Sequence, residues 1–370
     1  MTDNLDRLPS ARDSIMEGIE EGLHTGAQLC TWLGGETVAD GAVGEKSPGT
    51  AMTPDTVLPW LSSGKPIGAV AIAQLKERGE LDYDQPVAEY VPEFVQNGKE
   101  AITVRHLLTH TGGIRTAEQA NRLDSREEII AAICAAPSEK DWTPGEKAGY
   151  HESAGWHMLG EIIRRLDGRP YEDYVRDEIF EPLGMDDSWA AMTPEVMDRY
   201  ADRLAELYTV EDGDPQSAAE YSAEAMGPFA RPGSSLRCPA HDLVRFYRMM
   251  LGSGELDGVR ILSAESVAEI VSPQRLGMVD HTFRHKMDWG LGVIVDNKHH
   301  GETAPYGFGP HASPKTFGHG GNQSSVGFAD PEHGLAVALI FNGLPGHPRH
   351  DRRLKRVTGA VYEDLGLVQQ

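Results

Sequence analysis

A chain of 370 residues with 39% hydrophobic and 7% aromatic content is long enough to bury a substantial core and has the composition of an ordinary globular protein. Its 57 acidic against 34 basic residues leave a formal charge of −23, which argues against a nucleic-acid partner or an anionic membrane surface. No run of ~18 apolar residues occurs, so no membrane span is expected. The segment Met1–Arg7 has no basic stretch leading into an apolar run, and Cys30, Cys134 and Cys238 fit no metal spacing. Both point to a cytoplasmic, reducing setting.

Taken in order, Ser10–Leu23 shows helical spacing at Ile15, Met16, Ile19 and Leu23. Gly26–Leu33 and Glu36–Val43 flank Gly34-Gly35, a hairpin signal with a two-residue turn. The stretch Leu58-Pro59-Trp60-Leu61-Ser62 reads as a short apolar run ending in a serine at a turn, with a helix to Glu77 carrying Lys65 in its first turn. Helices are also expected over Thr103–Thr109, Arg126–Ala136, Gly155–Leu166, Tyr171–Phe180, Ala240–Leu251 and Ala264–Val271. After them the period switches: Gly290–Val295, Lys315–His319, Ser325–Ala329 and Leu335–Asn342 read as strands, and Arg352–Leu365 as a closing helix. Strands at both ends with helices between suggest one sheet made from the two termini. The expected division is an α/β sheet domain of residues 1–80 and 286–370, interrupted by a mostly helical insertion, 81–285.

Residues three apart on a helix are surface neighbours, so Lys65 comes within reach of the Ser62 hydroxyl. Pro66 removes no helical hydrogen bond there, because the first N–H groups have no partner to lose. A helix N-terminus carries partial positive charge that favours a developing oxyanion. Ser62 is thus a candidate nucleophile with Lys65 as its basic partner. By itself the spacing is weak, since a capping serine followed by a solvated lysine looks the same.

Further segments change the weight of that spacing. Ser62-Ser63-Gly64-Lys65, Val104-Arg105-His106-Leu107-Leu108-Thr109-His110-Thr111-Gly112-Gly113-Ile114, Thr143-Pro144-Gly145, Leu159-Gly160-Glu161-Ile162-Ile163, Pro182-Leu183-Gly184-Met185 and Gly318-His319-Gly320-Gly321 run in an order that resembles the serine β-lactamase and penicillin-binding-protein superfamily. The likeness is nearest to its class C β-lactamase and family VIII esterase branch. It implies a five-stranded antiparallel sheet flanked by helices, an all-helical domain, and an active site between them.

Two of the three motifs of that superfamily are altered. No Tyr-x-Asn occurs. Counting forward from Pro144-Gly145 selects Tyr150, and counting back from Leu159-Gly160 selects His151, with Ser153 in the Asn position. Tyr150 is taken first, because the resemblance implies a phenolate beside a cationic lysine, and a phenol with pKa near 10 needs that neighbour. His151 is the alternative base, able to act unaided at neutral pH. Lys-Thr-Gly is also missing. Lys315-Thr316-Phe317 is a near-match with a side chain where substrate must approach, whereas His319-Gly320-Gly321 supplies both glycines. His110-Thr111-Gly112 matches the same pattern at a helix end and reads as a C-cap.

By resemblance, the backbone N–H groups of Ser62 and Asn322 form the oxyanion hole, and His319, Gly320 and Gly321 line the substrate strand. A histidine in place of the lysine removes a fixed cation, which favours uncharged esters and amides over carboxylate-bearing β-lactams. No cofactor is expected. No His-Glu-x-x-His occurs, and neither His106 with His110 nor His299 with His300 is read as a metal site. The expected function is a serine hydrolase acting through an acyl-enzyme, first a carboxylesterase on small or medium acyl esters. An acyltransferase, a D-amino-acid peptidase or amidase, a β-lactamase and a non-catalytic binding module follow. Trp189, Tyr208, Tyr221 and Phe229 are candidate pocket walls; oligomeric state has no signature.

Overall fold

In the computed structural model, which describes residues 5–211, 214–301 and 303–368, the two ends of the chain meet in one antiparallel sheet. Its strands are β1 (Gly26–Leu33), β2 (Glu36–Ser47), β3 (Thr50–Ala51), β4 (Ile294–Val295), β5 (Phe317–Gly321), β6 (Ser325–Asp330) and β7 (Leu335–Phe341). They lie in the order β4-β5-β6-β7-β1-β2-β3. The expected five strands are therefore seven. The five long ones are joined by two-residue strands, β4 and β3, at the edges.

The first hairpin turns on Gly34 and Gly35, whose φ values of 57° and 117° suit a two-residue hairpin turn. The strand expected over Gly290–Val295 shrinks to Ile294–Val295. Gly292 has φ 70°, and the Gly290 N–H donates to the Val293 carbonyl at 2.9 Å, closing a tight turn instead.

Strand β7 is buried on both faces, and its alternation sorts two cores. Val337, Leu339 and Phe341 pack with helices α1 (Pro9–Glu20) and α5 (His347–Asp364) through Ile15, Leu354, Val357 and Val361. Ala336, Ala338 and Ile340 face the larger core, with α2 (Lys65–Glu77), α3 (Ala154–Asp167) and α4 (Ala240–Leu251). Helix α5 starts at His347 rather than Arg352, because Gly346 (φ 90°) turns the chain and Pro348 occupies the first helical turn. Asn342 ties the termini: its Oδ1 accepts from the Thr25 and Gly26 N–H groups at 3.1 and 2.9 Å, and its Nδ2 donates to the Glu45 carbonyl at 2.9 Å.

Helix α2 is buried from Lys65 through Leu75, a core helix rather than a half-exposed one. That burial desolvates its first residue. Among the described residues, no helix is long and apolar enough to cross a membrane.

Candidate active site

Ser62 sits in a 3₁₀ turn, Leu61–Gly64, that runs straight into α2. The turn is pinned from two sides. Trp60 donates its N–H to Leu236 O (2.9 Å) and its Nε1–H to Cys238 O (2.8 Å), while its carbonyl accepts from Ser325 Oγ at 3.0 Å. Leu61 has φ 50°, a left-handed backbone rare for a leucine, and such residues persist only where their surroundings impose them. Ser63 is fully buried; its hydroxyl donates to His319 O (3.1 Å) and lies 3.0 Å from Ser325 Oγ. Of the two serines, Ser62 alone lines the cavity.

Lys65 Nζ lies 2.8 Å from Ser62 Oγ, 2.9 Å from the Glu152 carbonyl and 2.7 Å from the Gly233 carbonyl. It is fully buried, and burial lowers its pKa to about 7 against the raising influence of Glu118 and Glu152. A neutral amine has two N–H donors and one lone pair. The two carbonyls take the donors, which leaves the lone pair for the Ser62 hydroxyl.

Tyr150 OH donates to Ser62 Oγ at 2.9 Å from the other side. Its backbone N–H is seated on Asp280 Oδ1 (3.1 Å), and the fully buried Asp280 is paired through Oδ2 with Arg275 at 2.9 Å. Burial, then the Tyr306 phenol, push the Tyr150 hydroxyl well above its ordinary pKa, against the Ser62 hydrogen bond. The group facing Ser62 at neutral pH is thus a phenol. Its ring stacks obliquely with His110 (4.6 Å between centroids) and Trp289 (5.7 Å).

His151 is placed differently. It is fully buried, its Nε2 accepts from the Ile114 N–H at 3.1 Å, and burial followed by Arg115 lowers its pKa to about 3. It makes no hydrogen bond to Ser62. His110, left-handed at φ 57°, accepts the His151 N–H on Nδ1 at 3.1 Å and holds this turn in place.

His319 stands on β5, fully buried, with Nδ1–H donating to Gly320 O at 2.7 Å; a carbonyl can only accept, so Nε2 is the bare nitrogen. Burial, then Lys65, lowers its pKa to about 3, so the ring is neutral. It lies in the cavity wall rather than on its surface. Tyr306, 5.8 Å away between ring centroids, lines the cavity instead. Gly320 and Gly321 are required by contact: a Cβ on Gly320 would meet the Tyr306 ring at 2.2 Å, and one on Gly321 the Trp60 carbonyl at 2.5 Å. Asn322 follows at the end of β5 and lines the cavity with Ser62. Lys315 of the near-match is exposed and pairs with Glu332 at 3.6 Å.

The cavity encloses about 1030 Å³. Glu118, Asp124, Glu152, Glu220 and Asp351 line it, against Arg122, Arg231 and His347. Arg231 is not free to meet a substrate carboxylate, because its guanidinium donates to the carbonyls of Met226 (3.0 Å), Leu123 (3.2 Å) and Asn121. Of the four aromatic wall candidates, Tyr221 lines the cavity; Trp189 packs beside Tyr200, Tyr208 lies in a peripheral hairpin and Phe229 stacks on Arg231. Sequence reasoning missed Glu118, Glu152, Gly233, Asp280 and Tyr306. Glu152 could have been found from its place two residues after Tyr150. A carbonyl such as that of Gly233 has no side-chain signature.

Fold and site together define a serine hydrolase of the Ser-x-x-Lys type. The chain belongs to the Beta-lactamase family, whose model matches residues 12–361. It is similar to the esterase/beta-lactamase LipL of Mycobacterium tuberculosis, 29% identical over 350 residues that cover 86% of this chain and 77% of LipL. Penicillin-binding protein 4 of Amycolatopsis lactamdurans is 31% identical over 328 residues, 86% of this chain and 81% of that protein. The crystal structure of a family VIII carboxylesterase matches with a TM-score of 0.77 at 26% identity, over 98% of this chain and 99% of the other.

Proposed function

We propose that this chain is a serine carboxylesterase for small or medium acyl esters, working through an acyl-enzyme on Ser62. One observation carries the reading: the Ser62 hydroxyl is held between the Lys65 amine and the Tyr150 phenol at 2.8 and 2.9 Å. In the acylation step Ser62 Oγ bonds to the ester carbonyl carbon while its proton passes to the Lys65 lone pair. The oxyanion forms at the N–H groups of Ser62 and Asn322. Collapse breaks the bond to the alkoxy oxygen, which takes a proton from Tyr150, and Lys65 restores the phenol. Water then repeats the sequence on the acyl-enzyme and releases the acid. His151 is the alternative base; its hydrogen bond from the Ile114 N–H, which occupies Nε2, supports Tyr150 in this role instead.

The cavity has walls from both parts of the chain, with Ser62, Tyr306 and Asn322 from residues 1–80 and 286–370 and Glu118, Tyr150 and Tyr221 from residues 81–285. This supports a sheet domain and a helical insertion that meet at the site. Three buried, unpaired cysteines support a reducing, cytoplasmic setting. LipL and the family VIII enzyme support esters as the substrate class. The carboxylate-rich lining opposes β-lactams, which carry a carboxylate of their own. A chromogenic panel of p-nitrophenyl acetate, p-nitrophenyl butyrate, a cephalosporin and a D-amino-acid anilide, with Ser62→Ala as blank, tests it. The esters should turn over readily and the cephalosporin poorly. Cephalosporin hydrolysis matching the best ester in kcat/KM would overturn the esterase assignment.

A further inference from the structure

A second cluster of chemistry-bearing side chains lies outside the cavity. Asp288 is buried, its side chain 4% exposed, and both of its oxygens are engaged by adjacent histidines. His299 Nε2 lies 2.9 Å from Oδ2 and His300 Nε2 lies 3.0 Å from Oδ1, with the two rings 3.9 Å apart between centroids. One donor atom from each of the three residues falls within 4.8 Å of the others.

We propose that Asp288, His299 and His300 bind a divalent transition-metal ion of the zinc type. Two imidazoles and a carboxylate are the donor set that such an ion prefers. Zinc bonds of about 2.0–2.2 Å at tetrahedral angles place ligand atoms roughly 3.3 Å apart. The two nitrogen–oxygen separations, each to a different carboxylate oxygen, need open by only a few tenths of an ångström, and the three donor atoms, which lie within 4.8 Å of one another, draw together by at most about 1.5 Å. Each neutral imidazole would offer its Nε2 lone pair to the ion while its proton sits on Nδ1, and the Asp288 carboxylate offsets half of the ion's charge.

The supporting contacts are those of a built site. Asp288 Oδ1 accepts the Gly277 N–H at 2.6 Å, which orients the carboxylate. Asn297 Oδ1 accepts the Asp288 N–H at 2.7 Å, which fixes the backbone of the 288 segment to that of the histidine turn Lys298–His300. His299 is 57% exposed, leaving an entry path and a coordination position for water. Asp288 adjoins Trp289, whose ring packs on His110 and His319, and the histidine turn leads to Tyr306 of the cavity wall. The ion therefore cross-links two segments behind the site. It touches no reacting atom and steadies the wall.

The test uses tag-free protein stripped with EDTA and desalted. Titration with ZnCl₂ by calorimetry should give one ion per chain and a Tm that rises with zinc, and Co²⁺ should give the visible bands of a tetrahedral ion. His299→Ala and His300→Ala should each weaken binding by about tenfold or more. His299 is 57% exposed, so the metal-free His299→Ala variant should melt as cooperatively as the metal-free parent. Absence of binding, or an affinity unchanged in both variants, would overturn the proposal.

Discussion

At the scale of single residues, Lys65 decides the pH behaviour. Burial moves its pKa from 10.5 to about 7, so the protein binds fewer protons folded than unfolded between these values. Stability from this group is therefore lowest below pH 7 and recovers as pH rises towards 10.5. Activity follows the same titration: kcat/KM for a neutral ester should climb along an acid limb with apparent pKa about 7. Lys65→Arg, which cannot deprotonate, should lose ~10²–10⁴ in kcat. A flat profile across pH 6–8 would remove Lys65 as the base. Tyr150→Phe should lower kcat by roughly 10²-fold or more, whereas His151→Ala should act mainly on stability, through the lost Ile114 hydrogen bond. The reverse order, read from kcat and Tm together, would shift the proton relay to His151. The Ser62–Lys65 spacing was visible in the chain because i, i+3 adjacency is local. The choice between Tyr150 and His151 was not, since they differ by one residue and only tertiary contacts say which ring faces Ser62.

At the scale of elements, Tyr150 depends on a seat built elsewhere. Asp280 holds its N–H, caps the Thr282 and Phe283 N–H groups, and neutralises Arg275, whose Nη1 donates to the Thr109 carbonyl at 3.1 Å. Asp280→Asn keeps the size and removes the charge, leaving a buried guanidinium unpaired. It should destabilise by about 3–5 kcal/mol and lower kcat more than KM changes. Chemical denaturation and steady-state kinetics on the same preparation check both. An unchanged midpoint would mean the pair contributes nothing. No periodicity could have announced this seat, because Asp280 lies 130 residues from its partner. Periodicity did reach the helices Ala240–Leu251 and Ala264–Val271, which the structure shows at those bounds. It overextended at Gly290–Val295, where alternating Leu291 and Val293 look strand-like while Gly290 and Gly292 make a turn.

At the scale of the whole molecule, the sheet closes only when both termini are present. Helix α5 covers Val337, Leu339 and Phe341 with Leu354, Val357, Val361 and Tyr362. Each such side chain contributes roughly 1.5–3 kcal/mol on burial, so together they approach the ~5–15 kcal/mol that keeps a domain folded. A chain ending at residue 345 should therefore be insoluble or molten, with Ser62 no longer labelled by a fluorophosphonate. Cooperative melting of the truncated chain with labelling intact would refute the two-ended closure. The sequence pattern shows this architecture in outline, since strands cluster at both ends. The small edge strands are invisible there, being two-residue pairings made by tertiary approach rather than by any run of residues.

The carboxylates around the cavity bear on the end of the catalytic cycle. The substrate enters uncharged, but hydrolysis leaves an acid that ionises at neutral pH. The acid then meets a lining in which Glu118, Asp124, Glu152, Glu220 and Asp351 outnumber Arg122 and His347, with Arg231 already committed to backbone carbonyls. The field that is indifferent to the ester expels its product, and departure of the acid is driven by the charge that the reaction creates. Acetate and butyrate should accordingly be poor inhibitors of p-nitrophenyl ester hydrolysis, and added salt, by screening the lining, should make them better ones. Tight inhibition by butyrate at low ionic strength would show that the lining is neutral where the acyl group sits.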